Sequence, residues 1–164
     1  MKTTSISKFA LALAVSFFFC ISAVQAQESG EEAAILQTID QFFDAMTARD
    51  SARLQALTIQ GSLSIWAANP PEQKELNMIN YTQLIQRFSG EGPELVERYW
   101  NPTVLIEGNI AVFWAPYDFH IDGAFSHCGI DSFQLVKREG QWLISNLSWT
   151  RQYENCEPSP LGSL

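Results

Sequence analysis

The chain is poor in positive charge and in cysteine, and it carries no signature of the common catalytic machineries. It has 10 Lys and Arg against 18 Asp and Glu, a formal net charge of −8. A surface of that sign repels nucleic acid and anionic lipid, which excludes both as partners, and its ordinary role is solubility. No glycine-rich phosphate loop, serine nucleophile elbow or His-Glu-x-x-His element occurs. Repeats, linkers and low-complexity segments are also missing before the last few residues. With 3 cysteines and 2 histidines, a soft metal site cannot be completed, and neither a metal nor another cofactor is implied.

A long hydrophobic run occurs once, at the start. Lys2 and Lys8 flank it, Phe9 to Val24 is almost unbroken, and Val24-Gln25-Ala26 puts small residues where a signal peptidase reads. The pattern predicts that residues 1–26 are a cleaved secretory signal, which makes the protein periplasmic or secreted and leaves it no membrane segment. Phe19 before Cys20 does not suit a lipoprotein. Removal leaves 138 residues, 27–164, with eight cationic side chains against eighteen acidic, a charge of −10. That is one domain, 27–156, followed by a Pro/Gly/Ser tail at 157–164 that reads as flexible. Cys128 and Cys156 remain as an even pair. In an oxidising compartment they suggest a disulfide closing a loop of 27 intervening residues, worth on the order of 3 kcal/mol. Free thiols are the alternative.

Apolar spacing at Ile35, Ile39, Phe42, Phe43 and Met46 predicts an amphipathic helix over 31–49, with Glu31 and Glu32 at its N-terminal dipole. Asp50 suits the N-cap of a second, short helix. A brief strand at 63–66 stops at Asn69-Pro70-Pro71, 72–79 reads as polar loop, and 81–88 as a third helix. From Leu95 the period changes to two. Strands are predicted at 95–106, 110–122, 127–137 and 141–151, with turns at 107–109, 122–123 and 138–140. The class is therefore α+β: a curved antiparallel sheet in the order α-α-β-α-β-β-β-β. Alternation points Phe113, Ala115, Tyr117 and Phe119 inward, with Phe133 and Leu135 on the next strand. His127 and Asp131 share that inner parity unless a one-residue bulge reverses it.

Three stretches together resemble the nuclear transport factor 2-like, or SnoaL-like, superfamily over about 31–151. They are Ile39-Asp40-Gln41-Phe42-Phe43-Asp44-Ala45 with Arg49-Asp50, Ala115-Pro116-Tyr117-Asp118-Phe119, and Gly129-Ile130-Asp131-Ser132-Phe133 through Gly140-Gln141-Trp142-Leu143-Ile144. The resemblance implies a cone in which the sheet wraps a long first helix and opens onto a pocket. Its members include ketosteroid isomerase, scytalone dehydratase, polyketide cyclases and pocket proteins with no known reaction, so the fold does not supply the function. Set against the isomerase, the oxyanion-facing aspartate falls on Asp131. The tyrosine partner falls on Phe42, and the general base falls near Trp66 or Ala67, neither of which can take a proton. Steroid-isomerase chemistry is rejected on that count.

Asp131 is the sharpest candidate, because a desolvated carboxyl group can stay protonated and donate. The plainer reading has it satisfied by a neighbouring backbone or tyrosine group. His127, about 13 Å away along the strand, either faces the same ligand from nearer the mouth or is simply half exposed. Asp118, His120 and Asp122 alternate on the outer face; they read as solvated rather than as metal ligands. Tyr117, Phe119, Phe133, Trp66 and Tyr99, with Phe113 and Tyr81, either line an aromatic pocket or pack the core. The expected function is an exported pocket protein holding a small, largely apolar molecule. One alternative is a lyase-, isomerase- or cyclase-type enzyme with Asp131 and His127 as acid and base. Another is an interaction module that dimerises through the outer sheet face at Trp114 and Pro116. Intact-mass analysis of the exported protein should find a chain starting at Gln27 and about 2 Da light, the two hydrogens lost to one disulfide. A retained N-terminus would overturn the signal reading.

Overall fold

A computed structural model describes residues 30–68 and 76–164. The chain divides into two compact units, Met1–Ala34 and Ile35–Leu164, and the fold below is that of the second. The signal segment, the Asn69-Pro70-Pro71 stop and residues 72–75 lie outside the described residues.

Helix α1, residues 30–47, carries the stripe read from the sequence: Ile35, Ile39, Phe42, Phe43, Ala45 and Met46 are all buried. Helix α2 (Ser51–Leu57) starts on Asp50, whose side chain accepts from the backbone of Ala52 and Arg53. That capping satisfies donors the first turn leaves free. Helix α3 (Tyr81–Arg87) is opened by a reciprocal capping box between Asn80 and Gln83.

Seven strands form one sheet: β1 (Thr58–Ala68), β2 (Leu76–Asn80), β3 (Leu95–Tyr99), β4 (Thr103–Glu107), β5 (Ile110–Ile121), β6 (Ala124–Arg138) and β7 (Gln141–Arg151). The order is β2-β1-β7-β6-β5-β3, and β4 also pairs with β5. The class is α+β and the sheet is mostly antiparallel, as read, with five corrections. The pairing of β1 with β7 is parallel. The strand expected at 63–66 runs from Thr58 to Ala68, and part of the expected loop, 76–80, is the edge strand β2. The single strand expected over 95–106 is two. Asn101 at φ 47° and Pro102, which has no N–H to donate, break it, so β3 and β4 share the edge of β5 end to end. The last correction concerns Asp118 and His120, which are buried rather than solvated, at 4% and 6% exposure. Asp118 accepts from Nε and Nη2 along one edge of the Arg98 guanidinium, at 2.9 and 2.6 Å, and Phe125 packs edge-on to the His120 ring. Arg98 also donates to the carbonyl of Gly162 in the C-terminal segment, 3.0 Å away. Asp122 is exposed, as read.

Two bulges set the inner face. The first adds Ser126 between the pairs Phe119–His127 and His120–Phe125. It falls before His127, so the inward parity of His127, Asp131, Phe133 and Leu135 survives, and all four are buried. The second adds Ser145 in β7, between the pairs Leu135–Ile144 and Gln134–Asn146. Trp142 and Ile144 face in before it, and Leu147 faces in after it on the opposite parity. Phe133 is fully buried, edge-on to Phe42, Phe43 and Phe113 with ring centres 5.6–5.8 Å apart.

Cys128 and Cys156 form a disulfide, with the Cα atoms 6.1 Å apart. It ties the segment after β7 to the middle of β6, where Cys128 and Gln152 also exchange both backbone hydrogen bonds at 2.9 Å. Because Phe133 joins helix to sheet, Phe133→Ala should cost about 3–5 kcal/mol. The check is a lower urea midpoint at unchanged slope; a loss below about 1 kcal/mol would mean that the junction collapses to fill the space.

Candidate functional site

One end of the inner face closes around a cavity of about 150 Å³. Its walls are largely apolar: Phe42, Phe43 and Met46 from α1, Phe88 after α3, Leu95 from β3, and Leu147 and Trp149 from β7. Phe119 and Ile121 complete them from β5. Into this space project Glu97, Tyr117, His127, Asp131, Arg87, Arg151 and Tyr153.

The deepest polar group is Asp131, 1% exposed. It stands opposite Ala115 on β5 and Trp149 on β7. The small Ala115 leaves room that a larger inward side chain would fill. Its carboxyl group lies close enough to that of Glu97 to share a proton with it, and its Oδ2 is buried with no hydrogen-bond partner among the described residues. Two carboxylates cannot both be ionised so close together in an apolar enclosure, so the pair holds a proton between them. Desolvation, then the charge of Glu97 and the hydrogen bond to it, raise the pKa of Asp131 well above the usual carboxyl range. Desolvation also raises that of Glu97, to about 7, against the lowering effects of the Asp131 hydrogen bond and of Arg151. Asp131 therefore keeps the proton and donates it. The remaining accessible area of Glu97 belongs to the cavity wall.

His127 sits in the row Glu97–Phe119–His127 across three strands. Its ring lies 4.9 Å from Phe119 and edge-on to Tyr117 at 5.8 Å, and its Nδ1 is 3.0 Å from the hydroxyl of Ser126. Burial, then the positive charges of Arg151 and Arg87, lower its pKa to about 4, so the imidazole is neutral at pH 7. The hydroxyl of Tyr117 donates to the carbonyl of Thr150, 2.7 Å away. That approach depends on Gly129, opposite Tyr117, because a Cβ there would run into the Thr150 backbone. The Arg151 guanidinium lies over the indoles of two neighbouring strands, 4.5 Å from the Trp66 ring centre and 5.9 Å from that of Trp149. Among the described residues its Nε is buried with no hydrogen-bond partner.

Of the candidates named from sequence, Asp131, His127, Tyr117 and Phe119 are brought together at this cavity. Phe133 packs in the aromatic core, Trp66 stacks on Arg151, and Tyr99 donates its hydroxyl to Asp40 at 2.8 Å while packing on Phe43 and Phe113. None of these three lines the cavity. Sequence reasoning missed Glu97, Arg87 and Arg151. Glu97 had a readable signal, a charge between Leu95 and Tyr99 on one parity, which is the pattern that singled out Asp131. Arg151 follows Leu147 and Trp149 at period two, but only once the bulge at Ser145 is known. Among the described residues no helix is long and apolar enough to cross a membrane, and no three His, Cys, Asp or Glu side chains gather as a metal site.

The raised pKa of Glu97 means that the folded protein binds a proton there which the unfolded chain has released, between its ordinary value near 4.5 and about 7. This contribution is fully present at low pH and is lost as pH rises through that window. His127 acts in the opposite sense between about 4 and 6.5, where the unfolded chain holds the extra proton. Asp131, whose pKa is raised well above the ordinary carboxyl range, slopes the same way as Glu97. Two carboxyl groups thus outweigh one imidazole, and native stability falls as pH rises across this window. Glu97→Gln should therefore leave a variant whose urea midpoint stays nearly level from pH 4.5 to 6.5 while the native midpoint falls. Parallel profiles would refute the shared-proton account.

No family model and no curated protein matches this sequence. Solved structures do match. A protein from Novosphingobium aromaticivorans, provisionally named scytalone dehydratase, superposes with a TM-score of 0.64 at 13% identity, over 85% of this chain and 99% of that one. An NTF2-like protein of unknown function from Pseudomonas putida gives 0.62 at 16% identity, over 79% and 98%. A nuclear transport factor 2-like superfamily protein from Salmonella enterica gives 0.61 at 13%, over 79% and 96%. At such identities the likeness is one of backbone architecture, and it agrees with the helix-lined sheet described above. The chain has the nuclear transport factor 2-like fold.

Proposed function

We propose that this is an exported pocket protein that holds one small, largely apolar molecule, with Tyr117, His127 and Asp131 as its polar contacts. The observation that carries this reading is a mostly apolar cavity with a few polar groups converging on it, the usual make-up of a ligand site. Its volume suits a single-ring molecule, since a cavity near 150 Å³ accepts benzene. Asp131, whose proton goes to Glu97, offers its unpartnered Oδ2 as an acceptor to a hydroxyl on the ligand. Neutral His127 can accept or donate, and the Tyr117 oxygen, whose own proton goes to Thr150, can accept. The disulfide is compatible with an oxidising compartment and so supports export.

A second reading is favoured by the carboxyl pair. With Glu97 titrating at about 7 and Asp131 protonated, the cavity holds a donor and an acceptor that can exchange a proton near neutral pH. Lyase, isomerase or cyclase chemistry with Asp131 as acid and neutral His127 as base would draw on that poise. The provisional name of the Novosphingobium protein leans the same way.

Thermal denaturation with toluene, phenol and cyclohexanol distinguishes these cases. Each should raise Tm by several degrees at saturating concentration, since a hundredfold excess over Kd adds about 2.7 kcal/mol. Asp131→Ala should weaken phenol about tenfold, one hydrogen bond's worth, and leave toluene unchanged. Equal phenol affinity in the variant would remove Asp131 from the site, and no shift with any compound would sink the binding reading. Turnover with a bell-shaped pH profile, abolished by Asp131→Asn, would replace binding with catalysis.

A further inference from the structure

The charges around the cavity do not balance. Arg87 from α3 and Arg151 from the end of β7 both face it. They are near enough that Arg151, after burial, is the second cause holding the Arg87 pKa below its ordinary value. Opposite them stands the Glu97–Asp131 pair, which shares a proton and so supplies one negative charge. His127 is neutral, burial keeps the proton on Tyr117, and Asp118 is occupied by Arg98 on the outer face. Two guanidiniums thus meet one carboxylate; Arg87 is exposed at the rim, where water solvates it, and the half-buried Arg151 is the cation at the site itself.

Geometry fixes where that cation can be used. Cation–π contact places the Arg151 guanidinium over the Trp66 ring, with Trp149 farther off, and its buried Nε has no partner among the described residues. A buried N–H of a charged group left unpaired costs free energy, and a guanidinium presents its donors as a planar fork suited to a carboxylate. The wall adjoining it is aromatic and aliphatic, through Trp149, Phe119 and Leu147. We propose that the occupant is a small aromatic or alicyclic monocarboxylate, its ring against that wall and its carboxylate on Arg151 with Arg87 behind it. This rests on the pocket-protein reading above and gives it a chemical class.

The proposal includes a pH dependence. The groups facing Glu97 are Asp131, Arg151, Tyr117 and, from the outer face, Asp118. When Glu97 takes up a proton the negative charge facing Arg151 is lost, so a bound carboxylate is held more strongly below pH 7 than above it. Binding and protonation are then linked, and the protein takes up protons as the acid binds near neutral pH.

Calorimetry on the disulfide-bonded protein with benzoate, benzyl alcohol and benzylamine tests this, the three probes having similar size and differing in charge. Benzoate should bind at least tenfold tighter than benzyl alcohol, and benzylamine should be weakest. Arg151→Gln should remove the benzoate preference while leaving benzyl alcohol unaffected, and Arg151→Lys should keep part of it. Benzoate affinity should rise about threefold or more from pH 8 to pH 6, with proton uptake detected by comparing buffers of different ionisation enthalpy. Benzyl alcohol binding as well as or better than benzoate would overturn the proposal and leave the pocket reading standing. If none of the three binds, both fall. The native comparison needs no variant, so it decides the matter even if the Arg151 variants fail to fold.

Discussion

Everything in this fold depends on burying one stripe of a helix against one face of a sheet. Ile35, Ile39, Phe42, Phe43 and Met46 cannot be left in water, and the inner sides of the central strands are the surface that covers them. At roughly 1.5–3 kcal/mol for each fully buried apolar side chain, these five outweigh any single polar contact in the domain. The aromatic junction among Phe42, Phe43, Phe113 and Phe133 is where the two layers meet edge to face. The cavity lies where the same layers part towards Glu97 and His127, so the site is a by-product of how the core is closed.

That origin explains the character of the polar groups. Each sits at a position where the strand's period of two calls for an apolar side chain, and each is brought inside because its strand is. Asp131 and Glu97 resolve the cost of burial by holding a proton between them, and His127 by remaining neutral. Tyr117 resolves it through the Thr150 carbonyl. Arg151 has neither remedy among the described residues; its charge is met by two indole faces and by the nearby Glu97.

Period and parity made much of this legible in the sequence. The first helix, the inward set on β5 and β6, and the placing of Asp131 and His127 on the inner face follow from spacing alone. What failed did so for local reasons. Leu95 to Ile106 reads as one run of strand-forming residues, which masks the break made by left-handed Asn101 before Pro102, although Asn-Pro is a known interruption. The burial of Asp118 depends on Arg98 lying directly across from it on β3, and pairing between strands is not written in either strand. Arg151 was hidden because Ser145 shifts the phase of β7 midway. One extra residue reverses every inference beyond it.

Gly129 has a backbone angle that any residue can adopt, unlike six of the chain's nine glycines, which sit at positive φ. What holds this position to glycine is the Thr150 strand pressed against it. A turn glycine can often yield to asparagine or aspartate, which tolerate the left-handed region. Gly129 has no such substitute, because even one methyl group collides with main chain and not with a side chain that could swing away. In a deep mutational scan the site would look like a catalytic residue, intolerant of all nineteen replacements, while performing no chemistry of its own.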